Sequence, residues 1–263
     1  MDSSLASDRG APGPAAPRGV DAAIIALGNV VFRYRDYLAP IAIGAVALLS
    51  LPRPFLGTRA LDVWWDAAGI AVALAGQSLR VLVIGLAYIK RGGRNKRIAA
   101  DRLVVDGIFA HVRHPLYVGN FLLLVGLMMV WNSPLGYAVA AALALGLFSM
   151  ARAEEVFLGA KFGPAYDAYC AGVPRFIPRF RGLATTLSSF SFDWKRVVRK
   201  EYGTTLSWTT TAVALLALER IHWDGIAGAA PALHTLVSAW LVLAALWVAA
   251  RWMKKTHRLD SPD

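Results

Sequence analysis

The chain has almost no thiol and little acid. Cys170 is its one cysteine, which excludes an internal disulfide and leaves the redox compartment open. Five histidines and that cysteine form no recognised metal motif. His111 and His114 stand three apart, but Pro115 disfavours helical geometry at His114, and no further ligands lie near in sequence, so no metal is expected. Acidic residues number 17 against 28 basic ones, a formal net charge of +11. There is no separate basic domain to offer nucleic acid. The cations lie in loops beside apolar runs, where anionic lipid head groups account for them, so membrane lipids and not nucleic acid are the expected partners. The first residues also lack the basic-then-apolar order of a signal peptide, and no internal repeat is present.

What the chain has is apolar length. Hydrophobic residues make up 57% of it, with nine tryptophans and a mean hydropathy of +0.48. Apolar runs flanked by Trp, Tyr, Lys and Arg are the pattern of a multi-pass membrane protein. The expected fold is therefore all-α, a transmembrane helical bundle of about six spans with a pocket on its cytosolic face. Residues 1–19, rich in Ala, Pro, Gly and Ser, read as a disordered tail. Residues 20–182 form the core, 183–203 an interfacial amphipathic linker, and 204–263 two further spans and a polar tail. Within the core an interfacial or re-entrant helix leads to a first span near Tyr37–Leu51, and a second covers Ala67–Ile89. Arg80 lies ten residues, about 15 Å, before Lys90, too deep for easy snorkelling, so it either strains to the interface or faces a polar cavity. The basic loop KRGGRNKR (90–97) lacks P-loop order and reads as a juxtamembrane contact with lipid phosphates.

The third and fourth spans, Leu116–Trp131 and Pro134–Met150, are joined by Asn132 and Ser133 alone. So short a connection forces an antiparallel hairpin. The turn Arg113-His114-Pro115 and the pair Glu154-Glu155, about forty residues apart, must then meet at one end of the bundle. Lys and Arg number four in residues 1–37, seven in 90–115, nine in 151–203 and four from 251 onward. With six spans these segments fall on one side, which the positive-inside rule makes cytosolic, with both termini.

The chemistry of the meeting point follows from residue type. Pro115 suits the first position of a helix, whose free N–H groups and dipole favour a carboxylate or phosphate, with Arg113 adding a charge-assisted bond. Gly119 and Gly126, seven apart, permit close helix approach. Adjacent residues differ by about 100° around a helix, so only one glutamate points straight into a pocket, leaving the other to pair with Arg113 or Arg152. Phe162, Tyr166, Tyr169, Phe176 and Ile177 are candidates for a lid.

The segments RHPLYVG (113–119), EE (154–155), FGPAYDAY (162–169) and VPRFIPR (173–179) together resemble the isoprenylcysteine carboxyl methyltransferase and phospholipid methyltransferase superfamily of integral membrane enzymes. The resemblance covers roughly residues 70–180 and includes Gly76 and Arg80 as a Gly-x-x-x-Arg on the preceding span. It implies methyl transfer from S-adenosyl-L-methionine to a membrane-embedded lipophilic acceptor, a lipid amine or carboxylate. It also implies cofactor contacts at Asp101, Arg102, Leu103, Val104, Phe109, His114, Pro115, Leu116, Tyr117 and Glu154. Glu155 is the candidate base or acceptor orienter, with Arg113 and Arg152 beside it as candidate catalytic residues. Where such sequences often carry an arginine one turn before the glutamates, associated with the acceptor, this chain has Met150, with Arg152 as the nearby substitute. Two other readings are weighed against this one. A sterol-reductase-like enzyme using NADPH shares the Arg-His-Pro-x-Tyr turn, though it usually has an Asp and a Cys where this chain has its Glu pair. A membrane scaffold or carrier explains the spans but not the gathered polar motifs.

Overall fold

The computed structural model describes residues 19–86, 98, 100–189 and 191–259. The expected tail, up to residue 18, and the basic loop 90–97 lie outside the described residues. What is described is helical, with no strand among those residues: α1 (Val20–Leu49), α2 (Arg59–Leu86), α3 (Pro115–Trp131), α4 (Pro134–Phe162), α5 (Pro164–Gly172), α6 (Leu183–Ser189) and α7 (Trp194–Lys255). Three of these, α2, α4 and α7, are long and apolar enough to cross a membrane, and α3 is a shorter apolar helix.

The expected break between an interfacial helix and a first span does not occur. The α1 helix runs unbroken through Arg33–Asp36 and Pro40. Phe32, Ile43 and Val46 are buried on one face, so one continuous helix accommodates both stretches. The expected hairpin is present. Asn132, in the left-handed conformation (φ 42°, ψ 55°), ends α3, and the Ser133 side chain accepts from the Gly136 N–H to cap α4.

Glycines set the α2–α3 spacing. A Cβ on Gly76 would sit 2.7 Å from the Gly119 carbonyl oxygen, and one on Gly69 2.7 Å from that of Gly126, so the two backbones touch directly. The Gly119–Gly126 spacing seen in the sequence is thus matched by Gly69 and Gly76 on α2. Against this pair pack α4 and the first part of α7, with α1 laid along α4, around a core that includes Val46, Ala73, Leu127, Met128, Trp131 and Leu215.

The α7 helix is two arms. Gly225 is non-helical (φ 67°, ψ 173°). Across it the Trp240 indole donates to Thr210 at 2.8 Å, and the Tyr202 and Trp247 rings lie 6.2 Å apart. In a straight helix residues 202 and 247 would be about 68 Å apart, so the chain doubles back at Gly225. The segment read as an interfacial linker is continuous from Trp194 with the first arm.

Candidate functional site

The two motif ends meet. Burial against a neighbouring loop holds the turn: the Arg113 and His114 N–H groups donate to the carbonyls of Pro174 and Arg175 at 2.9 and 3.1 Å, and Arg179 N–H donates to His111 at 3.0 Å. This pairing explains the VPRFIPR segment, which fastens the Arg-His-Pro turn in place. His114 caps α3 from a non-helical conformation (φ −125°, ψ 57°) with Pro115 as the first helical residue. Its imidazole lies between the two carboxylates, Nδ1 3.4 Å from Glu154 Oε2 and Nε2 3.3 Å from Glu155 Oε1. The ring stacks on Tyr117, with centroids 5.5 Å apart.

The glutamates divide as their helical offset requires. Glu154 lines a cavity of about 670 Å³. Glu155, 6% exposed, turns away into a cluster of cations. Arg113 Nη1 approaches it at 2.9 Å, Arg152 at 3.2 Å, and Arg175 grips both oxygens at 2.8 and 2.7 Å. Burial works against the charged form of His114, yet Glu154 and Glu155 outweigh it and hold its pKa above the ordinary 6.5.

The cavity runs from this polar end into the bundle. Arg113, His114–Tyr117, Phe109 and Glu154 line its mouth with Arg35, Arg80 and Asn120, while Ile43, Leu123, Leu127, Leu143 and Leu147 line its depth. Arg80 faces this cavity, and its guanidinium is paired with Glu201 through Nε and Nη2, each at 2.9 Å, with Asn120 as a further acceptor. Glu201 belongs to α7, as do Thr204, Ser207, Trp208 and Thr211, which complete one wall. Sequence reasoning missed all five. The one signal was an acid, Glu201, embedded in the basic run KRVVRKEYG at the start of an apolar stretch.

Some expected residues fall elsewhere. Asp101, Arg102, Leu103 and Val104 are not among the residues lining the cavity. Their segment lies beside the end of α4, where the Lys161 ammonium donates to the Ala100 carbonyl. Arg152 reaches Glu155 and, at 3.6 Å, Asp21, and does not line the cavity, whereas Met150 does. The cation that α1 contributes to the wall is Arg35. The aromatic loop packs beside the site: Phe176 lies 6.0 Å from the His114 ring, Tyr169 donates to the Phe109 carbonyl at 2.8 Å, Tyr166 is buried and Ile177 is exposed. His111 donates from Nδ1 to the Arg179 carbonyl at 2.8 Å and meets Thr186 through Nε2 at 2.9 Å, so both its ring nitrogens are engaged.

Residues 67–165 match the family described as phospholipid methyltransferase. The chain is 34% identical over 109 residues to a protein-S-isoprenylcysteine O-methyltransferase of Schizosaccharomyces pombe, covering 41% of this chain and 42% of that one. It is 29% identical over 128 residues to the Homo sapiens protein of the same name, covering 47% and 45%. A nickel-cobalt-cadmium resistance protein, NccN, of Alcaligenes xylosoxydans xylosoxydans is 33% identical over 130 residues, covering 48% and 59%. The chain thus spans about half the length of these relatives. No solved structure matches. The matched segment carries the Gly-x-x-x-Arg of α2, the Arg-His-Pro turn and the glutamate pair, so the part of the chain that builds the site is the part similar to the phospholipid methyltransferase family and to the isoprenylcysteine O-methyltransferases.

Proposed function

We propose that the chain is a multi-pass membrane methyltransferase that takes its methyl group from S-adenosyl-L-methionine and passes it to a lipophilic acceptor held within the bilayer. The observation that carries this reading is the form of the cavity. A cluster of ionisable groups from both motif ends opens into a chamber whose depth is lined by leucines from α3 and α4.

The residues present suit that cofactor. Its amino-acid part is a zwitterion, and the mouth sets a carboxylate, Glu154, beside the Arg113 guanidinium and the His114 imidazole at the start of α3. Phe109 and Tyr117 offer aromatic faces to its cationic and heterocyclic parts. When bound, the cofactor would supply an already activated methyl group, so the protein's work is alignment, exclusion of water and placement of charge.

Within this proposal Glu154 faces the bound cofactor and His114 orients Glu154. Glu155 takes a positioning role in place of proton acceptance, because Arg113, Arg152 and Arg175 occupy its oxygens. Arg35 presents positive charge to the acceptor's polar group, in place of an arginine at Met150, and Arg80, neutralised by Glu201 and bonded to Asn120, shapes the polar wall beside it. A carboxylate acceptor then needs no general base. The two arms of α7 add two crossings to those of α1 to α4, making six, with the site and both termini cytosolic, a placement that the distribution of Lys and Arg supports.

Labelled S-adenosylmethionine should bind the purified chain and fail to bind Glu154→Ala and His114→Ala variants that keep their helical circular dichroism. Wild-type binding in both variants would remove the site assignment. Lipid extracts from cells with and without the chain, compared by mass spectrometry for a species heavier by one methylene unit, identify the acceptor.

A further inference from the structure

At the far end of α2 from the cleft, three carboxylates are buried together. Asp62 and Asp66 stand one turn apart on α2, and Glu219 faces them from the first arm of α7. One oxygen from each lies within 4.8 Å of the other two. Asp66 is 6% exposed and Glu219 2%. Counted along α2, the cluster is fourteen to eighteen residues from Arg80, about 21–27 Å, so it is no part of the methyl-transfer cleft.

When ionised, the carboxyls of this cluster outnumber the cations beside them. Three carboxylates face one cation in ion-pair range among the described residues, Arg220, whose Nη2 is 3.9 Å from Asp66 Oδ2, too long for a hydrogen bond. Arg59, the other nearby guanidinium, is turned to Asp224 at 2.7 Å. Asp62 accepts from the Phe55 N–H at 2.8 Å, and Glu219 accepts from the Trp223 indole at 3.2 Å. Those donors are neutral. Asp66 Oδ1 and Glu219 Oε2 are buried and have no hydrogen-bond partner. Buried acceptors left in this state cost stability unless protons or a bound cation neutralise them.

We propose that Asp62, Asp66 and Glu219 bind a small hard divalent cation of the Mg²⁺ or Mn²⁺ class. An all-carboxylate donor set selects oxygen-loving ions over the softer transition metals. Binding displaces any protons the carboxyls carry; once all three are ionised, they and Arg220 sum to a charge of −2, which one such ion neutralises, with waters filling its remaining positions. The ion ties the beginning of α2 to the last turns of α7's first arm, close to the reversal at Gly225. The sequence conceals the site because Glu219 lies about 150 residues from the aspartates. The proposal stands on this cluster alone and does not depend on the methyltransferase reading.

The full chain, purified in detergent and stripped with a chelator, is titrated with MnCl₂ while the electron paramagnetic resonance signal of free Mn²⁺ is followed. The expected result is one Mn²⁺ bound per chain, displaced by Mg²⁺, with a higher melting temperature for the loaded protein. Asp66→Asn and Glu219→Gln, which keep side-chain shape, should each weaken binding at least about tenfold. The proposal is overturned if the wild-type chain takes up no Mn²⁺, a result that requires no variant to fold. It is equally overturned if both variants bind as tightly as the wild type, which would put the ion elsewhere.

Discussion

His114 illustrates how one residue type is given its task by surroundings that the linear sequence does not display. Its ring is enclosed between Glu154 and Glu155, and their attraction outweighs the burial that disfavours its charge, so its pKa lies above 6.5. A folded-state pKa above the unfolded one means that the protonated histidine stabilises the fold. That contribution is fully present below about pH 6.5 and is lost as pH rises through the raised value. The difference in melting temperature between wild type and His114→Gln should therefore be largest in mildly acidic buffer and shrink as pH rises. A difference that grows with pH would contradict the arrangement. The neighbouring glutamates were legible as a pair, with one expected to face a pocket and one to pair with arginine. Arg175 was visible only as part of a motif, because its bidentate grip on Glu155 is made by a loop twenty residues away.

At the scale of elements, the hairpin of α3 and α4 was readable because a two-residue connection leaves no other geometry. Gly119 and Gly126 were readable as small residues, but their partners Gly69 and Gly76 emerge only when α2 is laid against α3. The reversal in α7 is less legible. Gly225 adopts φ 67°, ψ 173°, a region reserved for glycine. Replacing it with alanine should cost about 1–3 kcal/mol, read as a lowered melting temperature. An unchanged melting temperature would mean that the reversal lies elsewhere. The polar residues of the first arm, Thr204, Ser207 and Trp208, reach the cavity wall, so this arm, outside the matched segment 67–165, shapes the site.

At the scale of the molecule, the second arm of α7 exposes Val237, Leu241, Val242, Leu246 and Val248. A surface of this kind is costly in water and suited to lipid. The six-crossing arrangement is tested by single cysteines placed in a Cys170→Ser background. Residues near 102 and 258 should react with an impermeant thiol reagent from the cytosolic side, and residues near 57 and 225 from the other. Labelling of 57 and 258 from the same side would break the arrangement.

Composition and apolar periodicity determined the class of molecule, because a bilayer admits backbone only when its hydrogen bonds close within each helix. Chain distance determined that the Arg-His-Pro turn and the glutamates meet, since a tight hairpin has one geometry. Only the tertiary structure decided which glutamate faces the cavity. It also decided that Glu201 answers Arg80 and that Asp62, Asp66 and Glu219 share one buried volume. Those pairings join helices more than a hundred residues apart, and their partners are selected by packing register, which no local pattern records.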